Sequence, residues 1–162
     1  MVNARAVAET VTDPELPMLT LAELGVLRDV TERAGRVEVT ITPTYTGCPA
    51  LDAMRDDLRS RLAEAGYADV SVRTVLDPPW TSDWISESGR GKLAAAGVAP
   101  PGPVPHRPSG PIPLTLGPTR RVRCPRCGSA DTVELSRFGA TACKSLRRCE
   151  ACREPFEHFK EI

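Results

Sequence analysis

The sequence predicts an α+β fold in which a small mixed sheet with helices on one face is followed by a Pro-rich linker and a small β domain held by metal. Three observations predict it. Between residues 26 and 76, segments of period-two alternation flank a helix-period stripe; eight of the 16 Pro fall between 100 and 118; and five of the six Cys fall between 124 and 152. The expected boundaries are 1–99, 100–119 and 120–162. Residues 1–99 carry 10 Lys+Arg and 15 Asp+Glu, net −5, and residues 100–162 carry 11 and 6, net +5, so the neutral total hides two opposite halves.

Ala4–Thr10 predicts a short helix that Asp13-Pro14 breaks, because a residue before Pro avoids the helical region. Thr20-Leu-Ala-Glu23 has the capping-box spacing and opens a brief turn closed by Gly25. Val26–Glu32 and Arg36–Thr42 read as a hairpin around Arg33-Ala34-Gly35, with Val37, Val39 and Ile41 on the buried face. Pro49 to about Ala65 reads as a helix with Leu51, Met54, Leu58 and Leu62 in one stripe and Gly66 at its end. Val70–Leu76 makes the third strand, parallel to the second across this crossover. Trp80, Trp84 and Ile85 are expected to start a last helix ending at Gly97. The Pro-dense stretch reads as an extended spacer.

Several classes are excluded. No apolar run reaches membrane-spanning length, and the N-terminus lacks a hydrophobic signal core, so a cytoplasmic location with reduced thiols is expected. A balanced charge and seven aromatic residues speak against bulk nucleic-acid binding. The run Arg120-Arg121-Val-Arg123-Cys-Pro-Arg126 suits a protein partner's acidic face as well as nucleic acid. A di-iron oxygenase site needs Glu-x-x-His pairs, and the only two His, His106 and His158, lie in the linker and on the terminal strand. His158 is expected at the surface. No Gly-rich dinucleotide loop and no Ser-His-Asp set can be read, so no catalytic residue is assigned.

Cys48 follows the buried second strand, with Pro49 placed at the first helical position. Free N–H groups and the helix dipole there would favour a thiolate, which Asp52 and Asp56 would oppose; the alternative is a buried structural thiol. Cys124-Pro-Arg-Cys127-Gly and Cys149-Glu-Ala-Cys152 are two CxxC knuckles separated by 21 residues. Four thiolates in that spacing close a tetrahedral site suited to structural Zn²⁺, which makes the pattern a zinc ribbon; the same donors also hold iron–sulfur clusters. Thr132-Val-Glu-Leu135 and Pro155–Lys160 supply its strands. Cys143, beside Lys144, is an extra thiol, either packed or reactive.

Asp13-Pro14-Glu15-Leu16-Pro17, Leu24-Gly25-Val26-Leu27 and Thr46-Gly47-Cys48-Pro49 resemble the MIP18 family, formerly DUF59, over roughly residues 7–99. Asp77-Pro78-Pro79-Trp80-Thr81-Ser82-Asp83-Trp84 and Gly89-Arg90 continue the resemblance. It implies handling of an iron–sulfur cluster or iron at Cys48, with Asp13 and Thr46 as candidate neighbours. With the ribbon, Phe138-Gly139, Thr141-Ala142-Cys143-Lys144 and the Pro155–Lys160 end, the chain resembles the PaaD (PaaJ) family, accessory components of bacterial phenylacetyl-CoA epoxidase systems. That resemblance implies an accessory component of a multicomponent 1,2-epoxidase of phenylacetate degradation, without activity of its own. It would assist iron–sulfur or iron maturation, or act as a structural adaptor docking through its ribbon. The partners implied are the oxygenase or Fe–S reductase subunits, and a homodimer.

Overall fold

The computed structural model describes residues 3–104 and 121–162. The chain divides into two compact units, one of residues 1–93 with Ile162 and the other of residues 94–161. Residues 105–120, which hold most of the expected linker, lie outside the described residues. No helix among the described residues is long and apolar enough to cross a membrane.

In the first unit, Asn3 caps α1 (Ala4–Ala8) by accepting from the Arg5 N–H. The capping box forms as its spacing predicts. Thr20 Oγ1 accepts from the Glu23 N–H, and Glu23 Oε2 accepts from the Thr20 N–H, each at 3.1 Å. β1 (Leu27–Arg33) and β2 (Arg36–Ile41) pair antiparallel with Arg33 opposite Arg36, so the hairpin loop is only Ala34-Gly35. Both loop residues have positive φ, 49° and 81°, the conformation that follows strand twist in a two-residue hairpin.

α2 (Leu51–Glu64) crosses to β3 (Asp69–Thr74), which runs parallel to β2. Met54, Leu58 and Leu62 are buried against a sheet face that buries Val37, Val39 and Ile41, while Leu51 is only half-buried. The helix ends in a Schellman turn, where Gly66 at φ 97° donates to the Ala63 carbonyl and Tyr67 to Leu62. The expected helix start differs. Ala50 is the N-cap and the first turn begins at Leu51, because Pro49 lies in the preceding Cys48–Leu51 turn.

Beyond β3 the expected single helix is two elements. A 3-10 turn spans Ser82–Trp84, and α3 spans Glu87–Ala95. Trp80 is buried and donates its Nε1–H to the Leu24 carbonyl at 3.1 Å, which fastens this segment to the capping-box turn. Arg28 covers the Trp84 ring at 3.6 Å.

Glu23 also receives Lys92 Nζ at 2.7 Å and Ser88 Oγ at 2.8 Å. Burial alone would raise its pKa, but the hydrogen bonds from Lys92, Thr20 and Ser88 outweigh it and hold the carboxyl below its ordinary value near 4.5. A depressed folded pKa stabilises above the unfolded value and is lost as pH falls through the folded one. The unfolding midpoint of this unit, read by Trp80 and Trp84 fluorescence, should therefore fall as pH drops below about 4.5. Glu23→Gln should flatten that fall.

The second unit is one sheet in the order β4 (Val98–Ala99), β7 (Pro155–Phe159), β6 (Lys144–Cys149), β5 (Thr132–Ser136). β4 pairs parallel with β7, and the other neighbours are antiparallel. Val98 and Ala99, which the sequence boundary put with the first part, join the second sheet, where Ala99 is buried beside Cys124, Cys149 and Phe156. Pro100–Pro103 and Arg121–Arg123, on the two sides of residues 105–120, border one hollow of this unit.

Candidate functional site

β2 delivers the chain into a loop whose start is fixed from both neighbours. The Thr42 N–H donates to the Val26 carbonyl, and the Val75 N–H donates to the Ile41 carbonyl, each at 2.9 Å. The loop therefore sits at the carboxyl ends of the parallel strands β2 and β3, where crossover folds present their reactive loops. Cys48 closes a tight turn, its N–H 3.3 Å from the Tyr45 carbonyl and its carbonyl accepting from Leu51 at 3.2 Å. The side chain is partly buried, while Thr46, Gly47 and Pro49 around it are exposed. An open hollow of ≈ 290 Å³ lies along the same loop, lined by Thr42, Thr44, Tyr45, Thr46, Leu76 and Trp80 among others.

The two carboxylates expected to oppose a thiolate are otherwise engaged. Asp52 pairs with Arg55 at 3.2 Å and Asp56 with Arg59 at 3.1 Å. Arg55 also donates to Thr74 Oγ1 at 2.6 Å, tying the first turn of α2 to the end of β3. Asp13 is buried and serves its own turn, Oδ1 accepting from the Glu15 and Leu16 N–H groups at 2.8 and 3.0 Å. Among the described residues of this unit, Cys48 is the one thiol, so a chain offers a single sulfur ligand here.

In the second unit the four ribbon sulfurs converge, all within 4.8 Å of one another. Cys124 and Cys152 Sγ are 3.8 Å apart, and Cys127 and Cys149 Sγ are 3.5 Å apart. A tetrahedral ion with Zn–S bonds near 2.3 Å requires edges of about 3.8 Å, so the donor set fits one ion. Each knuckle buries its first cysteine and exposes its second.

Backbone N–H groups tune these sulfurs. The Cys152 N–H aimed at Cys149 lowers its pKa, with the Cys127 and Cys152 thiols adding to the effect, to about 7. The Glu154 N–H acts to lower Cys152, but burial and the three neighbouring thiols together push it to about 12. A metal takes cysteine as thiolate, so loading this site releases protons, most of all from Cys152.

The knuckles are built alike at their ends. Gly128 follows Cys127 at φ 74° and donates to the Cys124 carbonyl at 2.9 Å. Arg153 follows Cys152 at φ 64°, a left-handed conformation that costs an L side chain about 1 kcal/mol or more. A Cβ on Gly128 meets nothing within 4 Å, so its requirement is conformational alone. Gly128→Ala should lower the thermal midpoint of the metal-loaded protein, by about 1 kcal/mol in stability, and Arg153→Gly should raise it by somewhat less. The deficit in the second case reflects the exposed Arg153–Glu150 pair at 2.7 Å.

His158 is buried, not at the surface as expected. Ser145 Oγ lies 3.4 Å from its Nδ1, and Glu161 Oε1 lies 3.7 Å from its Nε2. The neighbouring His158 ring, aided by the Gly102 N–H at 2.9 Å, draws Glu161 down to about 2 despite burial. Sequence spacing gave no such set. Ser145 is fully buried, so the chain of three is a polar support within the sheet and presents no nucleophile. Lys144 is buried too, on Glu157 at 2.7 Å. Cys143 is packed, its Sγ 3.0 Å from Thr141 Oγ1.

A family model described as the PaaD zinc beta ribbon domain matches residues 108–160, and one described as an iron-sulfur cluster assembly protein matches residues 3–75. The chain is 41% identical over 157 residues to the putative D component of the 1,2-phenylacetyl-CoA epoxidase of Escherichia coli (strain K12), covering 97% of this chain and 90% of that protein. It is 35% identical over 86 residues to the Fe-S protein maturation auxiliary factor YitW of Bacillus subtilis (strain 168), covering 52% and 83%. A solved DUF59 domain of unknown function from Bacillus anthracis aligns with TM-score 0.52 and 29% identity, over 56% of this chain and 87% of that one.

Proposed function

The chain belongs to the PaaD family of 1,2-phenylacetyl-CoA epoxidase components, and on that premise we propose that it is a non-catalytic accessory subunit that matures iron–sulfur or iron sites of such a complex. The observation that carries this reading is Cys48 on its turn, flanked by exposed Thr46, Gly47 and Pro49 at the carboxyl ends of β2 and β3. The match of residues 3–75 to iron–sulfur assembly proteins supports it. A partly exposed thiol in a tight turn is suited to holding cargo briefly and giving it up. The cargo, an iron–sulfur cluster or iron, is held by Cys48, with Thr46 and Asp13 as the candidate neighbours. A second copy of the chain supplies the next sulfur, since one thiol alone does not complete a cluster's ligands.

The ribbon, within the unit of residues 94–161, docks the recipient oxygenase or Fe–S reductase subunit, and the unit of residues 1–93 is the thiol-bearing module. Cys124, Cys127, Cys149 and Cys152 hold Zn²⁺, which supplies rigidity and no redox chemistry. The single-ion spacing of the sulfurs supports zinc over a cluster, which spreads its ligands over several irons. Cys143 remains a spare thiol in the packed interior, and the protein works in the cytoplasm.

Metal analysis of anaerobically purified protein, wild type beside Cys48→Ala, tests the reading. One zinc per chain is expected in both proteins, iron in the wild type only, and under-loaded iron sites in a recipient matured with the variant. Equal iron content in the two proteins, or normal loading with the variant, would sink it. The second reading, a structural adaptor docking through the ribbon, is favoured by the exposed Val133, Leu135 and Phe138. It expects Cys48→Ala to be silent.

A further inference from the structure

The sheet of the second unit ends on β5, which among the described residues pairs only with β6. An edge strand offers a row of backbone donors and acceptors, and proteins commonly blunt it with Lys, Pro, a bulge or a cover. β5 reads Thr-Val-Glu-Leu-Ser and carries neither residue. Its one charge, Glu134, is occupied by Arg147 of β6 at 3.5 Å. Val133, Leu135 and Phe138 are 39%, 50% and 65% exposed, three of the five exposed large apolar side chains among the described residues. A register irregularity at Leu135 ends the regular ladder, so the edge open to pairing is Thr132–Glu134, with Leu135 beside it as an apolar anchor.

Beside this strip lies a hollow of ≈ 260 Å³ bordered by Arg137, Arg147, Lys160 and His158, with Glu134 and Glu161. Three cations, Arg137, Arg147 and Lys160, face two acids, Glu134 and Glu161, so the hollow carries a net positive charge. Arg147 Nε is buried without a hydrogen-bond partner. Lys160 Nζ donates to the Arg137 carbonyl at 3.0 Å and lies 4.6 Å over the Phe138 ring, which joins the basic hollow to the apolar strip.

A strand laid along β5 sends its side chains alternately to the two faces. On the face shared by Glu134 and Arg147 it meets the basic hollow; on the other it meets Val133. We infer that β5 is a docking edge for an extended partner segment in which acidic residues alternate with apolar ones, bound by strand addition. This deepens the docking role given to the ribbon above and rests on that role, not on the chemistry of Cys48.

The test uses the full metal-loaded chain and two short peptides, one alternating Glu and Val and one alternating Lys and Val, read by anisotropy and by amide NMR shifts. The Glu/Val peptide should shift residues 132–138 and bind at least about tenfold more tightly than the Lys/Val peptide. Arg137→Glu with Lys160→Glu should reverse that order, and Leu135→Lys should weaken both. Equal binding of the two peptides, shifts centred elsewhere, or binding of neither by the folded chain overturns the inference. So does self-association that Leu135→Lys abolishes, which would give the edge to a second copy. If epoxidase subunits bind the β5 variants as well as the wild type, the edge assignment falls and docking stands. If the Glu/Val peptide binds at β5 but none of the epoxidase subunits binds the wild type, the docking role falls alone.

Discussion

Cys149→Ser, or removal of the metal with a chelator, is expected to unfold residues 94–161 while residues 1–93 stay folded. The second unit has little else to hold it. Its apolar interior around the site is Ala99, Cys124, Cys149 and Phe156, with Val122 packed against them. Two of those four are the ligands themselves, so the site and the core are one object. Structural metal in such small modules contributes on the order of 10 kcal/mol, more than a sheet of this size can replace. The Cys149 N–H also donates to the Glu154 carbonyl at 3.0 Å, so losing the ligand frees the second knuckle. Both tryptophans, Trp80 and Trp84, lie in the first unit, and their fluorescence reports that unit separately. The expected result is unchanged tryptophan emission with collapsed amide dispersion for residues 121–161. Retained dispersion after complete metal removal would show that the β-sheet stands alone.

Gly25→Ala is expected to cost the first unit about 2–4 kcal/mol, from two sources that add. The φ of 75° disfavours any L side chain, by about 1 kcal/mol. A Cβ there would also come 2.6 Å from Trp84 Cβ and 2.8 Å from the Trp84 carbonyl oxygen. Backbone cannot swing aside as a side-chain tip can, and overpacking of that kind costs about 1–3 kcal/mol more. Gly35→Ala separates the two, because φ is 81° there but nothing lies within 4 Å. Urea unfolding followed by tryptophan emission should show a loss at Gly35 near the conformational cost alone and a clearly larger loss at Gly25. Equal losses would mean that the approach of Trp84 imposes no constraint.

The first unit was mostly legible because its signals are local. A capping box, a two-residue turn, alternation in Val37, Val39 and Ile41, and the Met54-Leu58-Leu62 stripe each specify geometry within a few residues. The convergence of the four ribbon cysteines was legible for the same reason, since each knuckle is self-contained. What sequence missed depends on distant partners. β6 reads Lys-Ser-Leu-Arg-Arg-Cys, without an apolar period, yet it is the strand between β5 and β7. Lys144 and Ser145 can be buried there only because Glu157 and His158 stand across on β7. β4 has two residues, too short for any periodicity, and exists because β7 offers it an edge. Around Cys48, Pro49 pointed to a helix start, but the chain spends one more turn before α2 begins. The likeness of the two knuckle ends is written in the sequence as well, since Arg153 occupies the place after its knuckle that Gly128 occupies after the other.

The pairing of β4 with β7 has a consequence for how this chain tolerates changes of length. Gly102 is tied to Glu161, and Val122 is tied through its carbonyl to Thr132 Oγ1 at 2.7 Å, so the residues on either side of 105–120 are anchored in one unit. The two ends that flank residues 105–120 are therefore fixed within the second unit. The entropy of closing a chain between fixed ends grows only with the logarithm of its length, so doubling it costs about 0.6 kcal/mol. Chain entropy thus sets little penalty on a change of length between those two ends. A fragment cut to begin at Arg121 fares worse, because it strips β4 from β7 and turns an interior strand into a bare edge.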